Sequence, residues 1–319
     1  MLFRSLLNEE LILLILHSVI GIQKTIKLNE YVKGLYIYPA KMMGRNIPTN
    51  EINHTDILVF ASHPDDEILG LSAMMSRHCS QGEKITVVYV TDGSSRDGES
   101  WKREREISEK IAATRYKEGT RGLSVLKIPQ QNLLLLGFPD GGTQRYLKEI
   151  SKDVISLIKK LTPTKIYVHC IEGGHIDHDL VSLVVKSVCN KLNFQNVFEW
   201  AEYSQLYPLG TKKMKFLPPL SFHEAKEIKI EFSKNELKLK KEMLSCHKSQ
   251  DVADIYTQGE IIRKANIKYL KEELVAYSQV PKEEWNYLVE RFLKYMERKS
   301  LQTKSLKLNG SGKQAARRT

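Results

Sequence analysis

Between residues 55 and 205 the chain alternates short apolar runs with longer stretches of mixed polarity. The apolar runs at 56–62, 84–93, 132–141, 165–169 and 196–203 read as buried strands. Residues 68–80, 101–119, 146–161 and 180–192 place apolar side chains three and four apart, the helical period. Strand and helix in alternation predict an α/β fold, a mostly parallel doubly wound sheet flanked by helices. Beyond 205 the pattern weakens. Residues 226–232 suggest a late edge strand, 235–247 and 255–277 read as helices, and 283–299 as a last amphipathic helix. Residues 1–53 read as an N-terminal helical extension broken by Pro39 and Pro48, which divides the chain into 1–53, an α/β domain over 54–280, and a C-terminal helix with a basic tail over 281–319.

Charge adds a question of partners. The 319 residues carry a formal net charge of +11 and are 41% hydrophobic, which suits a globular chain with a sizeable core and attraction to an anionic partner. Seven Lys/Arg and no acid follow Glu297, so part of the excess belongs to a tail expected to be disordered. Nucleic acid is not an expected partner. The apolar run 11–21 is too short to span a bilayer, and acids stand before it where a signal peptide carries positive charge. Cys79, Cys170, Cys189 and Cys246 are scattered with no C-x-x-C pair, which points to a reducing, cytoplasmic location.

The chemistry gathers at strand ends. Ala61-Ser62-His63-Pro64-Asp65-Asp66-Glu67 joins the first strand to the first helix, where an open α/β sheet binds ligands. Three adjacent acids beside a His repel one another unless a cation sits among them. A second group, His175-x-Asp177-His178, follows the fourth strand. Asp-Asp-Glu alone is ordinarily a solvated helix start, and H-x-x-H alone is weak; together, each at a strand end beside glycines, they favour a metal centre. Imidazoles and carboxylates suit Zn2+, with Fe2+ as the alternative occupant. His63, Asp66 and His178 would supply two nitrogens and an oxygen. Asp65 would be free to take a proton from an activated water. His175, when protonated, could stabilise an oxyanion, and Asp177 could hold its tautomer and raise its pKa. His169 is either a core histidine or a group behind the site; His54, His78 and His223 have no assigned task. No G-x-G-x-x-G follows the first strand, so a dinucleotide site has no support.

Ala-x-His-Pro-Asp-Asp-Glu, then Thr91-Asp92-Gly93, Pro139-Asp140-Gly141 and Glu172-Gly-Gly-His-x-Asp-His178, resembles the LmbE-like, or PIG-L, family of zinc-dependent N-deacetylases. Lys240-x-x-Met243-x-x-x-His247-x-Ser249-Gln250 is a weaker echo of the same family. The resemblance implies a Rossmann-like α/β fold and removal of the acetyl group from N-acetylglucosamine units attached to lipids, thiol precursors or antibiotics, and the basic surface is compatible with an anionic or lipid-linked conjugate. Site by site it implies His63, Asp66 and His178 as zinc ligands, Asp65 as general base, and His175 as the oxyanion-stabilising imidazole with Asp177 beside it. It further implies that Asp140 and Arg115 contact the sugar. Some members carry a Tyr just before His-x-Asp-His, where this chain has Gly173-Gly174. The rival readings are a receiver-type module holding magnesium, disfavoured by the imidazoles because that ion prefers oxygen, and a catalytically silent zinc-bound sugar-binding or regulatory α/β protein.

Overall fold

The computed structural model describes residues 52–94, 105–221, 225–278 and 287–297, with 42, 44–47 and the isolated positions 15, 18 and 21. Most of the expected N-terminal extension, including most of the 11–21 run, and the basic tail lie outside the described residues. The chain divides into two units, Met1–Met42 and Met43–Thr319. In the first, Ile15 and Ser18 are helical.

The second unit is built on strands β1 (Ile57–Ala61), β2 (Ile85–Thr91), β3 (Leu133–Phe138), β4 (Lys165–His169), β5 (Val197–Trp200), β6 (Ile228–Ile230) and β7 (Glu260–Lys264). Around them stand helices α1 (Asp66–Ser80), α2 (Arg105–Ser124), α3 (Leu147–Leu161), α4 (Ile176–Leu192), α5 (Lys234–Leu244) and α6 (Leu270–Tyr277). Residues 287–297 are also helical. The sheet order is β3-β2-β1-β4-β5-β7-β6. The five strands from β3 to β5 are parallel, and β7 and β6 join antiparallel. This is the expected α/β fold.

β1 is apolar throughout because it is covered on both faces; all five of its residues are wholly buried. Each such side chain contributes about 1.5–3 kcal/mol, so the central strands anchor the loops at their ends. α3 shows how a helix is fitted to the sheet: Leu147, Ile150, Val154, Leu157, Ile158 and Leu161 form the buried stripe, and Thr162 ends the helix in the left-handed region. On the outer edge of β3, Asn46 exchanges both backbone hydrogen bonds with Leu135 (2.8 and 2.9 Å), which covers part of an edge otherwise open to pairing.

One expectation fails here. Residues 255–277 do not form one helix. They contain a short turn ending at Ile255, then β7, then α6. The segment Glu260-Ile-Ile-Arg-Lys264 fits a helical period as well as a strand. What decides is the slot between β5 and β6, where Glu260 meets Lys240 (3.0 Å) and Arg263 meets Glu199 (2.6 Å). Those pairs allow an extended strand with charged residues to be buried. The edge strand expected over 226–232 is present as β6.

Candidate metal centre

β1 and β4 lie side by side, while the chain leaves β1 towards β2 on one side and reaches β4 on the other. Their C-terminal ends therefore open at the switch point of the sheet, where a crevice is unavoidable. Both histidine-acid motifs hang from these two ends. In the first, His63 N donates to Asp66 Oδ2 (2.7 Å), folding the loop onto the start of α1. Asp65, the residue before α1, takes φ +128, a strained backbone for a residue with a Cβ. It is held there by neighbours. Arg115 Nη2 donates to Pro64 O (2.8 Å) and to Asp65 Oδ1 (3.1 Å), and Arg115 Nη1 donates to Gly93 O (2.8 Å). Asp65 N donates to Glu67 Oε2 (3.3 Å), whose other oxygen accepts from Tyr89 (2.6 Å).

Three donor atoms converge. His63 Nδ1 is 3.3 Å from Asp66 Oδ2 and 3.3 Å from His178 Nε2, and His178 Nε2 is 3.4 Å from Asp66 Oδ2. A tetrahedral zinc with ligands at roughly 2.0–2.1 Å sets its donor atoms about 3.3–3.4 Å apart. The triangle therefore has the edge length that such an ion requires, with the fourth corner open. The electrostatics agree. Burial disfavours the charged form of His63, yet the Asp140 and Asp66 carboxylates push its pKa well above the ordinary value. That is the signature of a pocket in want of positive charge. Asp66 is held well below the usual carboxylate range by His178 and His63, which overcome its burial. Ligand atoms of His63, His175 and His178, of His63, Asp140, His175 and Asp177, and of Asp66, His169, His178 and Glu202 each gather within 4.8 Å.

The surrounding residues depart from expectation in pairing. Asp177 does not turn its carboxylate to His175. Its Oδ2 accepts from His63 Nε2 (3.2 Å) and from Gly141 N (2.7 Å), and its Oδ1 accepts from Thr143 Oγ1 (2.6 Å). This fixes the Nε2–H tautomer of His63 and leaves Nδ1 free for a cation, the carboxylate–histidine arrangement that orients metal ligands. His175 instead caps α4, its Nδ1 accepting from Asp177 N (3.1 Å). Its proton therefore sits on Nε2. Burial, with His63 and His178 nearby, drives its pKa down to about 4, so it is a neutral donor and not the protonated one expected. Asp140 Oδ1 lies 3.1 Å from His63 Nε2, on the rim of the same cluster. Arg115 is buried with its guanidinium engaged on the Asp65 loop, a holding position and not the exposed one a sugar contact would need. Burial raises the Asp65 pKa to about 7, against the pull of Arg115.

Three neighbours carried no sequence signal. Thr143 follows the Pro-Asp-Gly motif and holds Asp177. Tyr89 lies inside an apolar strand. Tyr203 sets its ring edge-on to His178, centroids 5.3 Å apart. Gly174 faces the Tyr203 backbone so closely that a Cβ would stand 2.0 Å from Tyr203 O. Gly174 thus leaves room for Tyr203, from the loop after β5, to lie against the site.

The fold is a mostly parallel α/β sheet with two histidines and a carboxylate gathered at its switch point. Residues 58–189 match the PIG-L family, described as GlcNAc-PI de-N-acetylase, and the matched span includes both motifs. No curated protein matches. Among solved structures, a deacetylase triple mutant of the teicoplanin biosynthetic pathway is similar at 18% identity, covering 66% of this chain and 97% of its own, TM-score 0.54. The zinc-inhibited form of teicoplanin deacetylase is similar at 16%, covering 65% and 96%, TM-score 0.53. The deacetylase of the A40926 pseudoaglycone is similar at 19%, covering 62% and 84%, TM-score 0.50. At these identities the likeness is one of fold.

Proposed function

We infer that this chain is a metal-dependent N-deacetylase that hydrolyses the acetamide of an N-acetylglucosamine-type conjugate to acetate and a free amine. The observation that carries this reading is the 3.3–3.4 Å triangle of His63 Nδ1, Asp66 Oδ2 and His178 Nε2 with Asp65 beside it. Zinc, when bound there, supplies Lewis acidity to water and to the amide carbonyl; Fe2+ suits the same donors. Asp65, its pKa near 7, takes the proton from the attacking water and is poised to return it to the leaving amine. Arg115 keeps the Asp65 carboxylate aimed, and Glu67 holds its backbone. His175 Nε2–H donates to the oxygen of the attacked carbonyl as charge develops there. Asp140, beside His63, is assigned here to accept from sugar hydroxyls. The PIG-L match and the deacetylase folds support this assignment.

The net charge of +11 favours an anionic or lipid-linked conjugate. No described helix is long and apolar enough to cross a membrane. Four free cysteines support a cytoplasmic, reducing location. The test is a panel of N-acetylated sugar conjugates scored for acetate and free amine. Chelator-sensitive release of both in equal amounts is expected. Zinc binding without release on any conjugate would favour the silent sugar-binding alternative.

A further inference from the structure

His169 ends β4 and is wholly buried, as is Glu202 just beyond β5. Neither belongs to the donor triangle. The register sets His169 opposite Trp200, so Glu202, two residues on, returns to the same face. His169 Nε2 accepts from Ser62 N (3.1 Å) and stands 3.2 Å from Asp66 Oδ2. Ser62 O, in turn, accepts from Thr91 N (2.9 Å) and Thr91 Oγ1 (2.8 Å). The peptide from which His63 hangs is therefore clamped on both sides, and His169 is one jaw. The same imidazole stacks on His178, centroids 4.0 Å apart and planes 21° from parallel. One side chain thus touches the support of all three donors.

Because Nε2 accepts from Ser62 N, its lone pair is engaged and not available as a fourth ligand, and the imidazole proton belongs on Nδ1, 3.5 Å from Glu202 Oε2, which itself accepts from Trp200 Nε1 (3.1 Å). Neither His169 Nδ1 nor Glu202 Oε1 makes a hydrogen bond among the described residues. Packing alone would be better served by an apolar ring, since buried unsatisfied polar atoms cost stability. We propose that His169, backed by Glu202, is a positioning residue that presets the geometry of the His63–Asp66–His178 donor triangle for its cation. The proposal rests on the metal reading above but concerns how tightly the ion is held, not what is hydrolysed.

The experiment is zinc competition against a chromophoric chelator, using the full chain, with circular dichroism to confirm folding and acetate release measured in parallel. His169→Phe keeps a ring to stack on His178 and removes both nitrogens. It is expected to weaken zinc binding by about 10- to 100-fold, the usual effect of losing such a partner. His169→Gln restores an acceptor for Ser62 N and should recover most of that loss. Glu202→Gln, the gentler change, should weaken zinc binding about tenfold, and it decides the matter should the Phe variant fail to fold. Wild-type zinc affinity in folded His169→Phe, no recovery in His169→Gln, or wild-type affinity in Glu202→Gln overturns the proposal. A wild type that binds zinc but releases no acetate refutes the deacetylase reading and leaves this one standing. Unaltered zinc binding in His169→Phe beside active wild type does the reverse.

Discussion

Two regions of the same sheet bury charge, and they do so differently. Around β5 and β7, Lys186 meets Glu199 and, at 3.1 Å, Glu273; Arg263 meets Glu199 at 2.6 Å; Lys240 meets Glu260 at 3.0 Å. Cations and acids balance, and every Lys240 proton has an acceptor: Leu69 O, Gln258 O and Glu260. Around the ends of β1 and β4, Asp65, Asp66, Asp140 and Asp177 gather, with Arg115 paired to Asp65 (3.1 Å) and within 4.0 Å of Asp140. Buried charge is tolerated when paired and costly when it is not. The balanced region satisfies its own charges; the acid-rich one is where the metal reading proposed above would place a cation. The difference teaches that the sign of uncompensated charge, more than the number of buried charges, marks the site.

Four outcomes would sharpen or break that contrast. The largest belongs to Asp66→Ala, which removes a corner of the donor triangle: metal content by elemental analysis should fall to background and acetate release should cease. Zinc retained at one ion per chain would show that the cradle lies elsewhere. Asp65→Ala should keep its zinc and lose about 10²–10⁴-fold in kcat, the range for removing a positioned base. Steady-state turnover beside a zinc titration reads both quantities. On the balanced side, Lys186→Met removes the buried cation that Glu199 and Glu273 share. It should lower stability by about 3–5 kcal/mol, as broken buried pairs do, with zinc affinity of the folded protein unchanged. Urea unfolding together with chelator competition checks it, and a loss of zinc affinity would join the two regions that are contrasted here.

The fourth outcome concerns pH. Burial raises the Glu172 pKa from the ordinary 4.5 to about 8. Its carboxyl accepts from Glu202 N (2.8 Å) and Tyr203 N (3.1 Å), bonds that the neutral form also makes. A group whose folded pKa is raised contributes stability that is complete below the unfolded value and is lost as pH climbs through the folded one. Wild-type stability should therefore decline between about pH 4.5 and 8 by this contribution, and Glu172→Gln should flatten the decline. Thermal melts across that range decide it; parallel curves for the two proteins would remove Glu172 from the account.

Short-range features were legible in the chain itself. The junction of β1 and α1 depends on an apolar run, a Pro and acids within eleven residues, and the His63–Asp66 pairing spans three positions, so local sterics and hydrogen bonding settle it. The same holds for His175 and His178 at the start of α4. The parallel sheet was legible because burial on both faces leaves long apolar runs. What a linear reading missed depends on residues far apart. Asp177 was matched to its neighbour His175, yet its carboxylate goes to His63, 114 positions earlier. Arg115 took a place on the Asp65 loop, 50 positions away. β7 looked helical until β5, β6 and Lys240 formed its slot. Tyr203 had no motif and reached His178 only through the notch at Gly174. The residue types and their local spacing determined by themselves which elements form and which donors stand at strand ends. Only the packed tertiary structure decided which donor faces which, because contacts between residues remote in sequence exist only once the sheet has closed and the loops have been pressed together.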